Sequence, residues 1–156
     1  MKIKNQRITL MLAMWLFAAL LVSCEKDDSC IDPTTPNLVI QFYDYDSPEN
    51  VKSIANLNVV YLETGDTLKF QNVDEIKIPL NVNDDSCLLK LVKDTASDMV
   101  SFTYQREYVF VSKACGFKTL FHNLEMNVSH AQWIKDFEII NHEIVIDTSA
   151  HVKIFH

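Results

Sequence analysis

The feature that most constrains this chain is the spacing of its apolar residues. From residue 38 onward they recur at every second position in short runs parted by polar turns. No long stretch repeats them at the 3.6-residue period of a helix. Leu38-Val39-Ile40-Gln41-Phe42-Tyr43 is rich in branched and aromatic residues, follows a segment containing Pro33 and Pro36, and reads as a first strand. Residues 57–62 read as a second, and a third starts at Leu68 after the turn Thr64-Gly65-Asp66-Thr67. Ile76, Ile78 and Leu80 alternate in a fourth, which Pro79 confines to a sheet edge because proline has no N–H for a central ladder. Residues 87–92 follow, then 100–104 and 108–111 in hairpin arrangement, then 117–128 with Asn123 as a break. Residues 133–140 and 143–146 read as a hairpin joined by Asn141-His142, with one short helix over 130–140 as the other reading; 152–155 is the last strand. The expected fold is all-β: an antiparallel β-sandwich, Ig-like or related, of about eight to ten strands over residues 37–156. Only two glycines are present, so Asn and Asp must supply most of the turn positions.

The first 23 residues have a different pattern. Lys2, Lys4 and Arg7 form a basic start, and residues 8–22 form an apolar run broken only by Thr9. That run falls short of the roughly 20 residues a helix needs to cross a bilayer. A basic start, a short apolar centre and small residues at the end make a secretory signal over residues 1–23, cleaved from the product. A span retained in the membrane is the alternative.

Leu21-Val22-Ser23-Cys24 ends the run and resembles a lipobox. The resemblance implies that the Cys24 thiol receives a diacylglyceryl group before cleavage. It also implies an exported lipoprotein, with the membrane as a partner through the anchor. Two acyl chains hold stably where one holds marginally. Glu25-Lys26-Asp27-Asp28 follows at once and is similar to the surface-export signal of Bacteroidota lipoproteins. That similarity implies the outer membrane and display on its outer face; a solvated acidic linker is the other reading. Residues 24–36 are expected to form the lipidated cysteine and a short acidic and proline-containing linker. Removing residues 1–23 takes away three basic residues and no acidic one. The 14 basic residues become 11 against 21 acidic, a net charge of −10. So acidic a domain is repelled by nucleic acid, which excludes it as a partner, and by anionic headgroups.

With Cys24 given to lipid, Cys30, Cys87 and Cys115 remain outside the reducing cytoplasm, where one disulfide and one free thiol are expected. Three pairings are open. Cys30–Cys115 is favoured: Cys30 lies in a polar leading segment that needs tying down, and Cys115 lies at a strand–turn edge. Cys87 opens an apolar run and suits a buried thiol. If Cys30 is tied to the domain, the free tether is Glu25 to Ser29, with a reach of roughly 17 Å.

Sites for chemistry are few. His122, His130, His142, His151 and His156 form no metal-binding pattern, and His151 and His156 read as solvated residues at the two ends of the last strand. Asn81, Asn83 and Asp85 alternate as in a calcium loop, but Ser86 and Val92 stand where that loop needs Gly and Glu. Asp44 and Asp46 read as turn chemistry. No catalytic residue, metal or cofactor is expected. Tyr43 and Tyr45 are the candidate ligand-contact aromatics, able to stack on sugar rings, although alternate aromatics in a sandwich are mostly core.

Taken together, Cys30-Ile31-Asp32, Thr35-Pro36, Phe42-Tyr43-Asp44, Val109-Phe110-Val111-Ser112-Lys113-Ala114-Cys115-Gly116 and Ala150-His151-Val152-Lys153-Ile154-Phe155-His156 resemble an uncharacterised family of small Bacteroidota lipoproteins, a domain of unknown function. The resemblance implies an exported lipoprotein and supplies no activity or ligand. The expected function is a lipid-anchored cell-envelope protein with a non-catalytic binding or structural β-domain, its partner an envelope protein. The alternative is a glycan-binding module of a surface polysaccharide uptake system.

Overall fold

Alternating branched and aromatic residues form nine strands among the described residues of the computed structural model, which are Cys30 and residues 34–156. They are β1 (Leu38–Tyr43), β2 (Ile54–Tyr61), β3 (Thr67–Val73), β4 (Glu75–Ile78), β5 (Ser86–Lys93), β6 (Ala96–Ser112), β7 (Gly116–Ser129), β8 (Asp136–Ile139) and β9 (Val152–Phe155). All nine lie in one unit, Ile31–His156. The expected leader over 1–23, the lipidated Cys24, the Lys26-Asp27-Asp28 signal and most of the linker lie outside the described residues.

The strands make two sheets in a sandwich-like arrangement: a four-stranded sheet in the order β4-β1-β9-β8 and a five-stranded sheet in the order β3-β2-β5-β6-β7. The period-two pattern sends Leu38, Ile40 and Phe42 of β1, Leu89 and Leu91 of β5, Phe102 of β6 and Ile154 of β9 into one shared core, each fully buried. Pro79 follows β4, and β4 is an edge strand, as the proline requires.

Four expectations need correction. The sandwich is not wholly antiparallel: β1 and β9 run parallel, with Gln41 opposite Lys153 and Tyr43 opposite Phe155. Residues 100–104 and 108–111 are not two strands but parts of the 17-residue β6. Beyond Thr103, β6 leaves β5 and pairs with β7 alone, forming a two-stranded ribbon in which polar Gln105-Arg106-Glu107 sit without a turn. Residues 143–146 form no strand and contribute a single bridge, Ile144 to Phe121; β8 pairs with β9 instead.

The fourth correction concerns the histidines: His151 and His156 are buried rather than solvated. His151 Nδ1 accepts the N–H of Val39 (3.0 Å), and the His151 N–H donates to the Val39 carbonyl (2.9 Å), so the ring fills a ladder position beside β1. Its Nε2 is enclosed without a partner, and burial holds the imidazole below its ordinary 6.5. His156 packs edge-on against Phe42 and Trp133, its Nδ1 is 2.8 Å from Lys93 Nζ, and burial lowers its pKa too.

Residues 130–140 form no helix. Residues 136–139 are strand β8, paired with β9, and fully buried Asp98 of β6 accepts the backbone N–H groups of Gln132, Trp133 (3.1 Å) and Ile134 (2.7 Å), which pins the segment before β8 to β6. Asn72, Asp94 and Asn123 adopt positive φ, as two glycines in a turn-rich chain demand; His130 does so as well. The expected break at Asn123 is a bulge: β7 carries one more residue than β6 between the Thr103–Glu125 and Gln105–His122 pairs.

Candidate functional site

Alternation along β1 turns Gln41 and Tyr43 away from the core. The parallel neighbour β9 sets Phe155 beside Tyr43, ring centroids 5.8 Å apart, and β8 adds Asp136 opposite Phe155 and Glu138 opposite Lys153. Past β1 the chain bends, and Lys52 fixes the bend through Asp44 Oδ1 (2.8 Å) and the His156 carbonyl (2.7 Å). The Lys52 hydrogen bond holds the Asp44 carboxyl below the usual carboxylate range. Tyr45 projects from this bend, 52% exposed. With Pro48, Asp136, Phe137, Glu138 and Phe155 it lines a hollow of about 410 Å³.

The two tyrosines named from sequence therefore differ. Tyr45 lines the hollow. Tyr43 does not: its ring carries the Lys153 ammonium 5.2 Å from the centroid, and its hydroxyl donates to Gln41 Oε1 (2.9 Å). Phe155, Asp136 and Glu138 escaped the sequence reading, because only a pairing between segments more than 100 residues apart brings them beside Tyr45. Chemically, the hollow offers an apolar ring face beside two carboxylates, a combination that takes a ligand with one apolar face and outward hydroxyl or cationic donors.

A larger hollow of about 670 Å³ lies between the β2–β3 turn and the segment after β4, and Cys87 is part of its wall. Burial pushes the Cys87 thiol up to about 11, which keeps it protonated and makes it a packing group. Its polar neighbours are satisfied internally: the Tyr61 hydroxyl donates to the Pro79 carbonyl (2.8 Å), and Asn81 Nδ2 to Glu63 Oε2 (3.0 Å). Asn81 Oδ1 accepts the Asn83 N–H (2.9 Å), which is ordinary turn chemistry. Cys30 and Cys115 are both disulfide-bonded and Cys87 is free and buried, the division expected from sequence.

A third cluster sits on the ribbon. His122 of β7 lies between two carboxylates, Glu143 at Nδ1 and Glu107 at Nε2 (2.9 Å), and both raise its pKa, Glu143 the more. Nothing in the sequence pattern pointed to it, since the three residues come from two strands and a loop.

The fold defines a class: a two-sheet, all-β sandwich domain with one parallel strand pair. Within that class, the chain belongs to the family described as a family of unknown function, DUF6452, whose match covers residues 56–156. Asp136, Glu138 and Phe155 fall inside the matched stretch; Tyr45 precedes it. No curated protein and no solved structure matches the chain.

Proposed function

We propose that this chain is an exported lipoprotein, held on a membrane by lipid at Cys24, whose β-domain serves as a non-catalytic binding or structural module of the cell envelope. The observation that carries the reading is Leu21-Val22-Ser23-Cys24 at the end of a basic-then-apolar leader and just before an acidic stretch. The similarity to Bacteroidota lipoproteins supports the outer membrane as the place of the anchor, and Lys26-Asp27-Asp28 supports display on its outer face, a solvated acidic linker being the other reading. In this reading Cys30 bonds to Cys115, the free tether is Glu25 to Ser29, and the domain stays close to the bilayer. Labelled palmitate tests the anchor: it enters the wild-type chain and not Cys24→Ala. A Cys24→Ala chain that is processed and membrane-bound as before sinks the reading.

A second reading, a glycan-binding module of a surface uptake system, draws support from the hollow beside Tyr45. An exposed ring in one lining with Phe155, Asp136 and Glu138 suits a sugar ring whose hydroxyls donate to the acids. A glycan array with the wild-type chain and Tyr45→Ala tests it. Hits lost in Tyr45→Ala favour a sugar. An array without hits, together with capture of an envelope protein through the same hollow, favours the first reading.

A further inference from the structure

The core-facing side of the larger sheet does not stop where the smaller sheet stops covering it. It continues along the β6–β7 ribbon, where Tyr108 stands opposite Thr119 and Phe110 opposite Phe117. Tyr108, Phe110 and Phe117 are 58, 56 and 68% exposed, and the Phe110 and Phe117 rings meet edge-on at 5.3 Å. Exposed aromatics clustered at the end of a projecting element mark a contact surface. Their setting says what kind. From the Tyr108–Thr119 pair to the turn, residues 108–119 contain Lys113 and Lys118 and no acidic residue, with Glu107 just outside them and held by His122 (2.9 Å), while the whole chain carries 21 acids and a net charge of −7. The ribbon end is thus an aromatic and basic tip on an acidic body.

We propose that this tip docks into the headgroup region of the phospholipid bilayer to which the chain is anchored. Aromatic rings with basic neighbours are the residue set that settles at a membrane–water boundary. Within a Debye length of about 8 Å an anionic surface attracts Lys113 and Lys118 when the tip approaches and repels the acidic body when that approaches instead, so the field favours the tip-first orientation. The turn at the tip holds Cys115, which is disulfide-bonded, as is Cys30. Paired as proposed above, they tie the tip to the sixth residue after Cys24 and hold it near the lipid. That last step rests on the anchoring reading; the aromatic and charge argument stands without it.

Hydroxyl-radical footprinting of the mature full-length chain at excess protein-free vesicles tests the proposal. Tyr45, exposed on the bend after β1, serves as the internal control. On vesicles containing phosphatidylglycerol, oxidation of Tyr108, Phe110 and Phe117 is expected to fall about fivefold, with Tyr45 unchanged. Changing Lys113→Glu and Lys118→Glu, both away from the core, is expected to restore most of it. Tip oxidation equal with and without vesicles overturns the proposal, as does equal shielding of Tyr45. Shielding only on native membranes overturns it too, in favour of a protein partner. Palmitate labelling of the same samples separates the two ideas: a labelled chain with an unshielded tip ends this proposal and leaves the anchor standing. An unlabelled chain with a shielded tip does the reverse.

Discussion

Phe42, Trp133 and His156 meet ring against ring at the β1–β9 seam, and none is more than 7% exposed; Phe110 and Phe117 meet in similar geometry at the ribbon tip, both more than half exposed. At the seam, Lys93 lies 5.4 Å from the Trp133 centroid and strands enclose the rings on the remaining sides. At the tip the same contact has solvent over it. The cause is a mismatch of lengths. β6 and β7 run 17 and 14 residues, while no strand of the smaller sheet exceeds six. The longer pair therefore overhangs its cover. Ring pairing alone does not make a core; the second layer does, and where that layer ends the same residues become a surface.

The largest test of this contrast is truncation on each side of it. Phe42→Ala should cost about 3–5 kcal/mol in urea-monitored unfolding, while Phe110→Ala or Phe117→Ala should stay within about 0.5 kcal/mol. Equal losses would break the distinction. Next comes the root of the same strand that carries the tip. Asp98→Ala removes the acceptor for three backbone N–H groups and should cost about 3 kcal/mol, with Asp98→Asn losing less.

The histidines sharpen the comparison through pH. His151 and His156 have folded pKa values lowered by burial. They bind fewer protons folded than unfolded, so their contribution is complete above the ordinary 6.5 and is lost as pH falls toward the lowered values. His122, raised by Glu143 and Glu107, has the opposite sign: its contribution is complete below 6.5 and is lost as pH rises through the raised folded value. The enclosed pair should dominate, since solvent screens the surface cluster. The urea midpoint should therefore drop between pH 7.5 and 5.5; a midpoint that rose would mean the surface cluster governs. The smallest expected effect is local: Glu143→Gln should move the His122 titration, followed by NMR, down toward its ordinary value and leave His151 where it is.

Much of the fold was legible where a signal is local. β1 and β9 appear in the sequence with their observed bounds, Pro79 marks an edge, and Asn72, Asp94 and Asn123 take positive-φ conformations that two glycines cannot cover. What failed was partnership. Period two says that a strand has two faces, not which strand lies beside it, so the parallel seam stayed hidden. Gln105-Arg106-Glu107 imitates a turn because its polar side chains have partners distant in sequence, Arg106 on Asp85 (2.6 Å) and Glu107 on His122 (2.9 Å). His151 reads as solvated because its burial depends on Val39, 112 positions earlier. The candidate site divides the same way: the exposure of Tyr45 fits its place after a strand, while Asp136, Glu138 and Phe155 reach it only through the seam.

The parallel seam also sets an order in time. β1 lies among the first forty-odd residues, yet its neighbour on one side is β9, which ends at Phe155. A chain emerging amino end first from a ribosome or a translocation channel has no partner for that edge of β1 until its final segment is out. Loop closure over such a separation is slow. The smaller sheet, and the core that depends on it, therefore completes last.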